Sequence, residues 1–146
     1  MVLADDMSAV RVLLAEDGSA MGRQLRGLLG DAFQVIGLVQ DGASLLNAAQ
    51  QMLPDVVVTD IAMPQMDGLE AVRRLRAQRP VLGVVFATVH AEPQMVARAL
   101  ALGPCSYVLK ADAGEDLLPA VRAAVRGETF LSHSLQQHAP SGQQPH

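Results

Sequence analysis

Five short runs rich in apolar and β-branched residues alternate with longer segments of helical period, and this alternation sets the tightest limit on the fold. Val10–Ala15 (VRVLLA), Gln34–Val39 (QVIGLV), Asp55–Asp60 (DVVVTD), Val81–Ala87 (VLGVVFA) and Cys105–Lys110 (CSYVLK) read as strands. Three of them are almost continuously apolar, as strands buried on both faces of a parallel sheet tend to be. Between them, apolar residues keep helical spacing at Met21, Leu25, Leu28 and Leu29, and again at Leu45, Leu46, Ala49 and Met52. Leu69, Val72 and Leu75 form a third stripe, Val96 and Leu100 a fourth, and Leu117, Leu118, Val121 and Val125 a fifth that ends at Gly127. Five strands alternating with five helices predict right-handed crossovers and a doubly wound α/β sheet covered on both sides. A length of 146 residues suits one such domain and is too short for two.

Punctuation supports the pattern. Ser19 and Asp41 stand where helix N-caps belong, Pro54 follows the second helix, and Pro93 fits the first turn of the fourth. Pro119 fits badly, because beyond a first turn it deletes a backbone hydrogen bond at a cost of roughly 3 kcal/mol unless the helix kinks or starts late. After Gly127 the residues are mostly Gly, Pro, Ser, Gln and His, so 10–127 is expected to be the folded domain. Residues 1–9 read as an N-terminal extension, and 128–146 as a flexible tail or truncated linker.

Charge and composition exclude several functions. The net charge of −4, without a basic run, gives nucleic-acid binding by this chain little electrostatic support. The single cysteine, Cys105, rules out an internal disulfide framework and a cysteine-based metal site, and reads as core packing. The longest apolar stretches fall short of a membrane span and the N-terminus lacks signal-peptide character, so a cytoplasmic location is expected. No G-x-G-x-x-G follows the first strand and no P-loop occurs, which removes a nucleotide-binding reading.

In an open α/β sheet, ligands bind outside the carboxyl ends of the strands. The first strand ends in Glu16-Asp17, the third in Asp60, the fourth in Thr88 and the fifth in Lys110. Three carboxylates, a hydroxyl and an ammonium thus converge on one rim. Clustered carboxylates repel one another, and a hard divalent cation such as Mg²⁺ is the natural counter-charge. A lysine and a hydroxyl beside that metal suit phosphoryl oxygens better than a glycosidic or peptide bond.

The segment VVVTDIAMPQMDGLEA (Val56–Ala71), with LLAED before it and FATVH and SYVLK after it, resembles the receiver domain of two-component response regulators. The resemblance covers about residues 10–127, and VRAAVRGETFLS is similar to receivers of the NarL/FixJ type, which usually carry a C-terminal helix-turn-helix. It implies a flavodoxin-like fold with strand order 2-1-3-4-5. It also implies that Asp60 is the phosphoacceptor, taking a phosphoryl group from a sensor histidine kinase or a small phosphodonor. Glu16, Asp17, Asp60 and the backbone carbonyl of Ala62 would hold Mg²⁺, while Lys110 and Thr88 would contact phosphoryl oxygens. Thr88 and Tyr107 would form the switch that reshapes the face of the fourth helix, fifth strand and fifth helix.

Three positions depart from the family pattern where it tunes dephosphorylation: Ala62 cannot position water, His90 stands two residues after Thr88, and Val89 replaces a smaller residue and could narrow access to the phosphoryl group. Pro64, Asp67 and Gly68 read as loop and helix-start residues, and His133, His138 and His146 as solvated tail. Two outputs stay open: a transcription regulator whose DNA-binding domain lies outside this chain, or a stand-alone receiver acting by protein contact or phosphorelay. Homodimer formation on phosphorylation is equally open. An aspartyl-phosphate hydrolase is disfavoured, because such enzymes need a second acid where Ala62 stands; only self-phosphotransfer and autodephosphorylation are expected.

Overall fold

Each of the five apolar runs forms a strand, and each helical stripe forms the helix that follows it. The computed structural model describes residues 7–137. In chain order the elements are β1 (Arg11–Ala15), α1 (Ser19–Leu29), β2 (Gln34–Val39), α2 (Gly42–Met52), β3 (Val56–Thr59) and α3 (Gly68–Gln78). There follow β4 (Gly83–Thr88), α4 (Pro93–Leu100), β5 (Ser106–Leu109), a 3₁₀ turn (Lys110–Asp112), α5 (Ala113–Val125), β6 (Phe130–Leu131) and α6 (His133–Gln137). The strands form one parallel sheet in the order β2-β1-β3-β4-β5-β6. The expected doubly wound, flavodoxin-like order is present, extended by a short sixth strand.

Strand alternation divides the apolar residues between two cores. Leu13 and Ala15 of β1, Val57 of β3, Phe86 of β4 and Tyr107 of β5 face α2, α3 and α4, where Leu45, Leu75 and Ala99 meet them. Val12, Leu14, Val58, Val85 and Val108 face α1 and α5, against Leu25, Leu29, Leu117 and Val121. All of these except Leu75 are no more than 1% exposed, and each fully buried branched or aromatic side chain contributes about 1.5–3 kcal/mol. Val81, expected in the fourth strand, is 93% exposed instead: pairing with β3 begins at Gly83 opposite Val56, so Val81 stays in the preceding turn.

Helix starts follow local chemistry. Asp41 caps α2 as expected, its carboxylate accepting the Ser44 N–H at 2.7 Å. Ser19 is not a cap: Gly18 occupies that position in an extended conformation, and its carbonyl accepts the Gly22 N–H at 2.8 Å. Asp67 caps α3 through the Glu70 N–H at 2.8 Å. Gly68 next to it is required by contact, since a Cβ there would lie 2.0 Å from the Asp60 carbonyl oxygen.

Two further expectations are corrected. α5 does not start late but begins at Ala113 and runs through Pro119; Glu115, whose carbonyl loses its helical partner, is exposed, so water can replace the bond. The part of the presumed tail that is described, residues 128–137, is folded: β6 pairs with β5, and Leu131 and Leu135 pack against the core that contains Tyr107. Two apolar residues are enough to close that edge because the backbone ladder of β5 supplies the remaining partners. Residues 1–6 and 138–146, including His138 and His146, lie outside the described residues.

Candidate functional site

The parallel sheet brings the carboxyl ends of β1, β3, β4 and β5 to one rim. The register pairs Ala15 with Thr59, so Glu16 and Asp60 leave adjacent strands side by side. The Asp60 N–H donates to the Ala15 carbonyl at 3.1 Å, and the Glu16 N–H to the Val39 carbonyl at 2.9 Å. These backbone bonds fix where the two carboxylates project.

The side chains then converge. Asp60 is 7% exposed; its Oδ1 accepts the Ile61 N–H at 2.7 Å and its Oδ2 accepts from Lys110 Nζ at 2.7 Å. Lys110 Nζ also lies 2.7 Å from Glu16 Oε1, while Glu16 Oε2 accepts the Gly18 N–H at 2.9 Å. Burial works against the ammonium, yet the hydrogen bonds and charges of Asp60 and Glu16 outweigh it and hold Lys110 above the ordinary lysine value. Asp17 is exposed at the mouth, and one carboxylate oxygen from each of Glu16, Asp17 and Asp60 lies within 4.8 Å of the others. An all-oxygen set of three acids at that spacing, with one ligand open to solvent, fits a hard divalent cation and does not fit a soft one.

Thr88 and Tyr107 are each fully buried and meet at the backbone of His90. The His90 N–H donates to Thr88 Oγ1 at 3.2 Å, and the Tyr107 hydroxyl donates to the His90 carbonyl at 2.7 Å. Burial, with the charges of Glu92 and Asp60, pushes the Tyr107 phenol well above its ordinary value, so it remains a donor. Its ring stands 6.3 Å from that of Phe86, at 50°. The His90 imidazole lies 3.5 Å from a Glu92 carboxylate oxygen. Val89 is 72% exposed and projects into solvent, and Ala62 is exposed on the loop after β3.

The structure therefore gathers Glu16, Asp17, Asp60 and Lys110 into one cluster and joins Thr88 to Tyr107 through His90. Sequence reasoning missed the backbone donors of Gly18 and Ile61, which leave no trace in residue type. It also missed Thr59, whose hydroxyl donates to the Asp60 carbonyl at 2.8 Å. Lys110 sits in the 3₁₀ turn just past β5, so the turn rather than strand alternation directs it to the rim.

A family model for the response regulator receiver domain matches residues 12–122. Response regulator GacA of Pseudomonas aeruginosa is 32% identical over 130 residues, covering 88% of this chain and 61% of that protein. Transcriptional activator protein ExaE of Pseudomonas putida is 33% identical over 126 residues, covering 85% of this chain and 59% of that protein. The chain thus spans about three-fifths of the length of these curated relatives. Among solved structures, the isolated receiver domain of RcsB from Salmonella enterica serovar Typhimurium, in the presence of phosphomimetic BeF₃⁻, is 25% identical with a TM-score of 0.82, covering 90% of this chain and 99% of that one. The receiver domain of NarL from Mycobacterium tuberculosis is 28% identical with a TM-score of 0.76, covering 83% of this chain and 99% of that one. With an acidic rim, a paired lysine and a matching fold, the chain belongs to the response regulator receiver family.

Proposed function

We propose that this domain is a phosphorylation-dependent signalling switch in which Asp60 is the acceptor. The observation that carries this reading is the Lys110 ammonium held 2.7 Å from both the Asp60 and Glu16 carboxylates. A carboxylate at a strand end, charge-paired to a buried lysine, is a nucleophile with its phosphoryl-oxygen partner already in place. Asp60 attacks phosphorus, the bond to the donor's nitrogen or oxygen breaks, and the bonding electrons leave with the donor group. The donor is a sensor histidine kinase or a small acyl phosphate.

Glu16, Asp17, Asp60 and the Ala62 carbonyl would hold Mg²⁺, which would supply charge neutralisation to the phosphoryl oxygens. Lys110 turns from Glu16 toward a phosphoryl oxygen, and the Thr88 hydroxyl leaves the His90 N–H for another. Because the Tyr107 hydroxyl donates to the carbonyl of the same residue, His90, that exchange reaches β5 and the α4–β5–α5 face. Ala62, Val89 and His90 set how quickly water reaches the aspartyl phosphate. The output is transcriptional, a reading supported by the name of the ExaE relative. No helix among the described residues is long and apolar enough to cross a membrane.

Intact-protein mass spectrometry after incubation with acetyl phosphate and Mg²⁺ tests the reading. One phosphoryl adduct is expected in wild type and none in Asp60→Asn or without Mg²⁺. An adduct of equal yield in Asp60→Asn places the acceptor elsewhere and overturns the mechanism.

A further inference from the structure

His133 is where the segment after α5 is fastened back to the body of the domain. Its backbone N–H donates to Asp116 Oδ2 at 2.8 Å, and its ring Nδ1 lies 2.8 Å from the same oxygen. The other ring nitrogen, Nε2, lies 3.4 Å from Asp112 Oδ1, and Glu115 Oε2 stands 3.7 Å from Nδ1. Beside the ring, the Ser134 hydroxyl and N–H donate to the two Asp112 oxygens at 2.7 and 3.2 Å. Among the described residues, the charged groups facing the imidazole are therefore Asp112 of the 3₁₀ turn and Glu115 and Asp116 of α5. The α6 neighbour Ser134 and the β6 flank Ser132 add only hydroxyls.

What this cluster holds in place is the outer edge of β5. Phe130 N–H donates to the Cys105 carbonyl at 3.3 Å and Ser132 N–H to the Tyr107 carbonyl at 2.9 Å. The Leu109 N–H donates to Ser132 Oγ at 3.1 Å. Leu131 and Leu135 pack against the core shared by Tyr107 and Phe86. The segment is a strap bonded to the backbone of the switch tyrosine.

We propose that His133, by gaining and losing its proton, fastens and releases the β6–α6 strap along β5. A protonated ring donates from Nδ1 to Asp116 and from Nε2 toward Asp112, one donor for each acid. A neutral ring keeps one N–H only and turns a lone pair toward a carboxylate. Asp112 stays charged throughout: burial opposes this, but its bonds from Ser134 and Ser132 and the charge of His133 outweigh burial and lower its pKa. The Asp116 hydrogen bond, together with the three acidic charges and against some desolvation, raises the His133 pKa. A pKa raised in the fastened state means that the contribution is complete below the ordinary histidine value and is lost as pH climbs through the raised one. Release uncovers the unpaired edge of β5 at Cys105 and Tyr107.

The test uses the full chain labelled for NMR and needs no phosphorylation, so its result is independent of the role given to Asp60. The His133 ring is titrated, and exchange of the Phe130, Ser132 and Leu109 amides is followed from about pH 6 to about pH 8.5, normalised to intrinsic exchange rates. His133 is expected to titrate above the ordinary histidine value, with protection of the three amides falling several-fold through the same midpoint. The step is expected to vanish in His133→Gln. In Asp116→Asn, which keeps the imidazole, the midpoint is expected to move down toward the ordinary value. A pH step that survives in His133→Gln, or a midpoint unmoved in Asp116→Asn, overturns the proposal. Should His133→Gln not fold, the Asp116→Asn midpoint decides alone.

Discussion

At the scale of single residues, Lys110 is the side chain on which the others depend. It is 10% exposed and shared between two acids that are themselves nearly buried. Removing it leaves Glu16 and Asp60 side by side without a counter-charge, and breaking a buried pair in this way costs about 3 kcal/mol. Lys110→Met is therefore expected to lower the stability measured by urea unfolding by roughly that amount without divalent cation. Added Mg²⁺ should recover part of the loss in the variant, because it then supplies the missing positive charge. A variant as stable as wild type, or one that Mg²⁺ does not help, would count against this account. The pH dependence has a definite sign. Lys110 has a raised pKa, so its contribution is complete below the ordinary lysine value and fades only as pH rises through the raised one. The acids and the lysine were legible in the sequence, because strand ends of a parallel sheet must share a rim. Their backbone support from Gly18 and Ile61 was not, because an N–H is common to every residue but proline.

Elements were legible to the extent that burial forces a pattern on them. A strand covered on both faces has no polar position to spare, so VVV in β3 and VVFA in β4 announce themselves. β6 has two residues and no period, so nothing in FL distinguishes it from loop. Its partner helix α6 was equally hidden, since the acids that hold His133 come from the 3₁₀ turn and α5, up to 21 positions earlier in the chain. Cap assignment at α1 failed for a smaller reason: Gly18 and Ser19 are adjacent and both acceptable at an N-cap, and the extended backbone of Gly18 with its bond from Gly22 distinguishes them. α5 poses the opposite case, a helix that keeps a residue its own chemistry opposes. Pro119 removes one bond from its interior, while Leu117, Ala120 and Val121 on either side are fully buried and hold the helix by packing. Pro119→Ala restores the missing donor, and relief of the proline penalty is partly offset by a more flexible unfolded chain. The expected gain is about 2 kcal/mol, read as a shift in urea midpoint with an unchanged slope. A loss of stability would mean that the proline ring fills a place in the packing that alanine leaves empty.

At the scale of the whole molecule, the sheet has two outer strands, β2 and β6, and they are built differently. β2 is six residues long and only partly covered, whereas β6 is a two-residue cover for a β5 that is buried except at Leu109. The folded unit therefore extends past Gly127, through Phe130, Leu131 and Leu135, each of which is half-buried against one of the two cores. A chain ending at Gly127 would keep every residue of the proposed phosphoryl site but lose that cover. Half-burial of three large apolar side chains corresponds to about 3 kcal/mol, to which the lost bonds to the Cys105 and Tyr107 carbonyls add. Urea unfolding is expected to show a loss of at least that order. Sedimentation is expected to show concentration-dependent self-association, because the exposed edge of β5 offers unpaired backbone beside Tyr107 and Leu109. A truncated chain that remains fully stable and monomeric would restore the boundary at Gly127 and make 128–137 an appendage. The two measurements report different consequences: stability reports the lost packing of Phe130, Leu131 and Leu135 together with the lost backbone bonds, and association reports the availability of the β5 edge that β6 normally occupies.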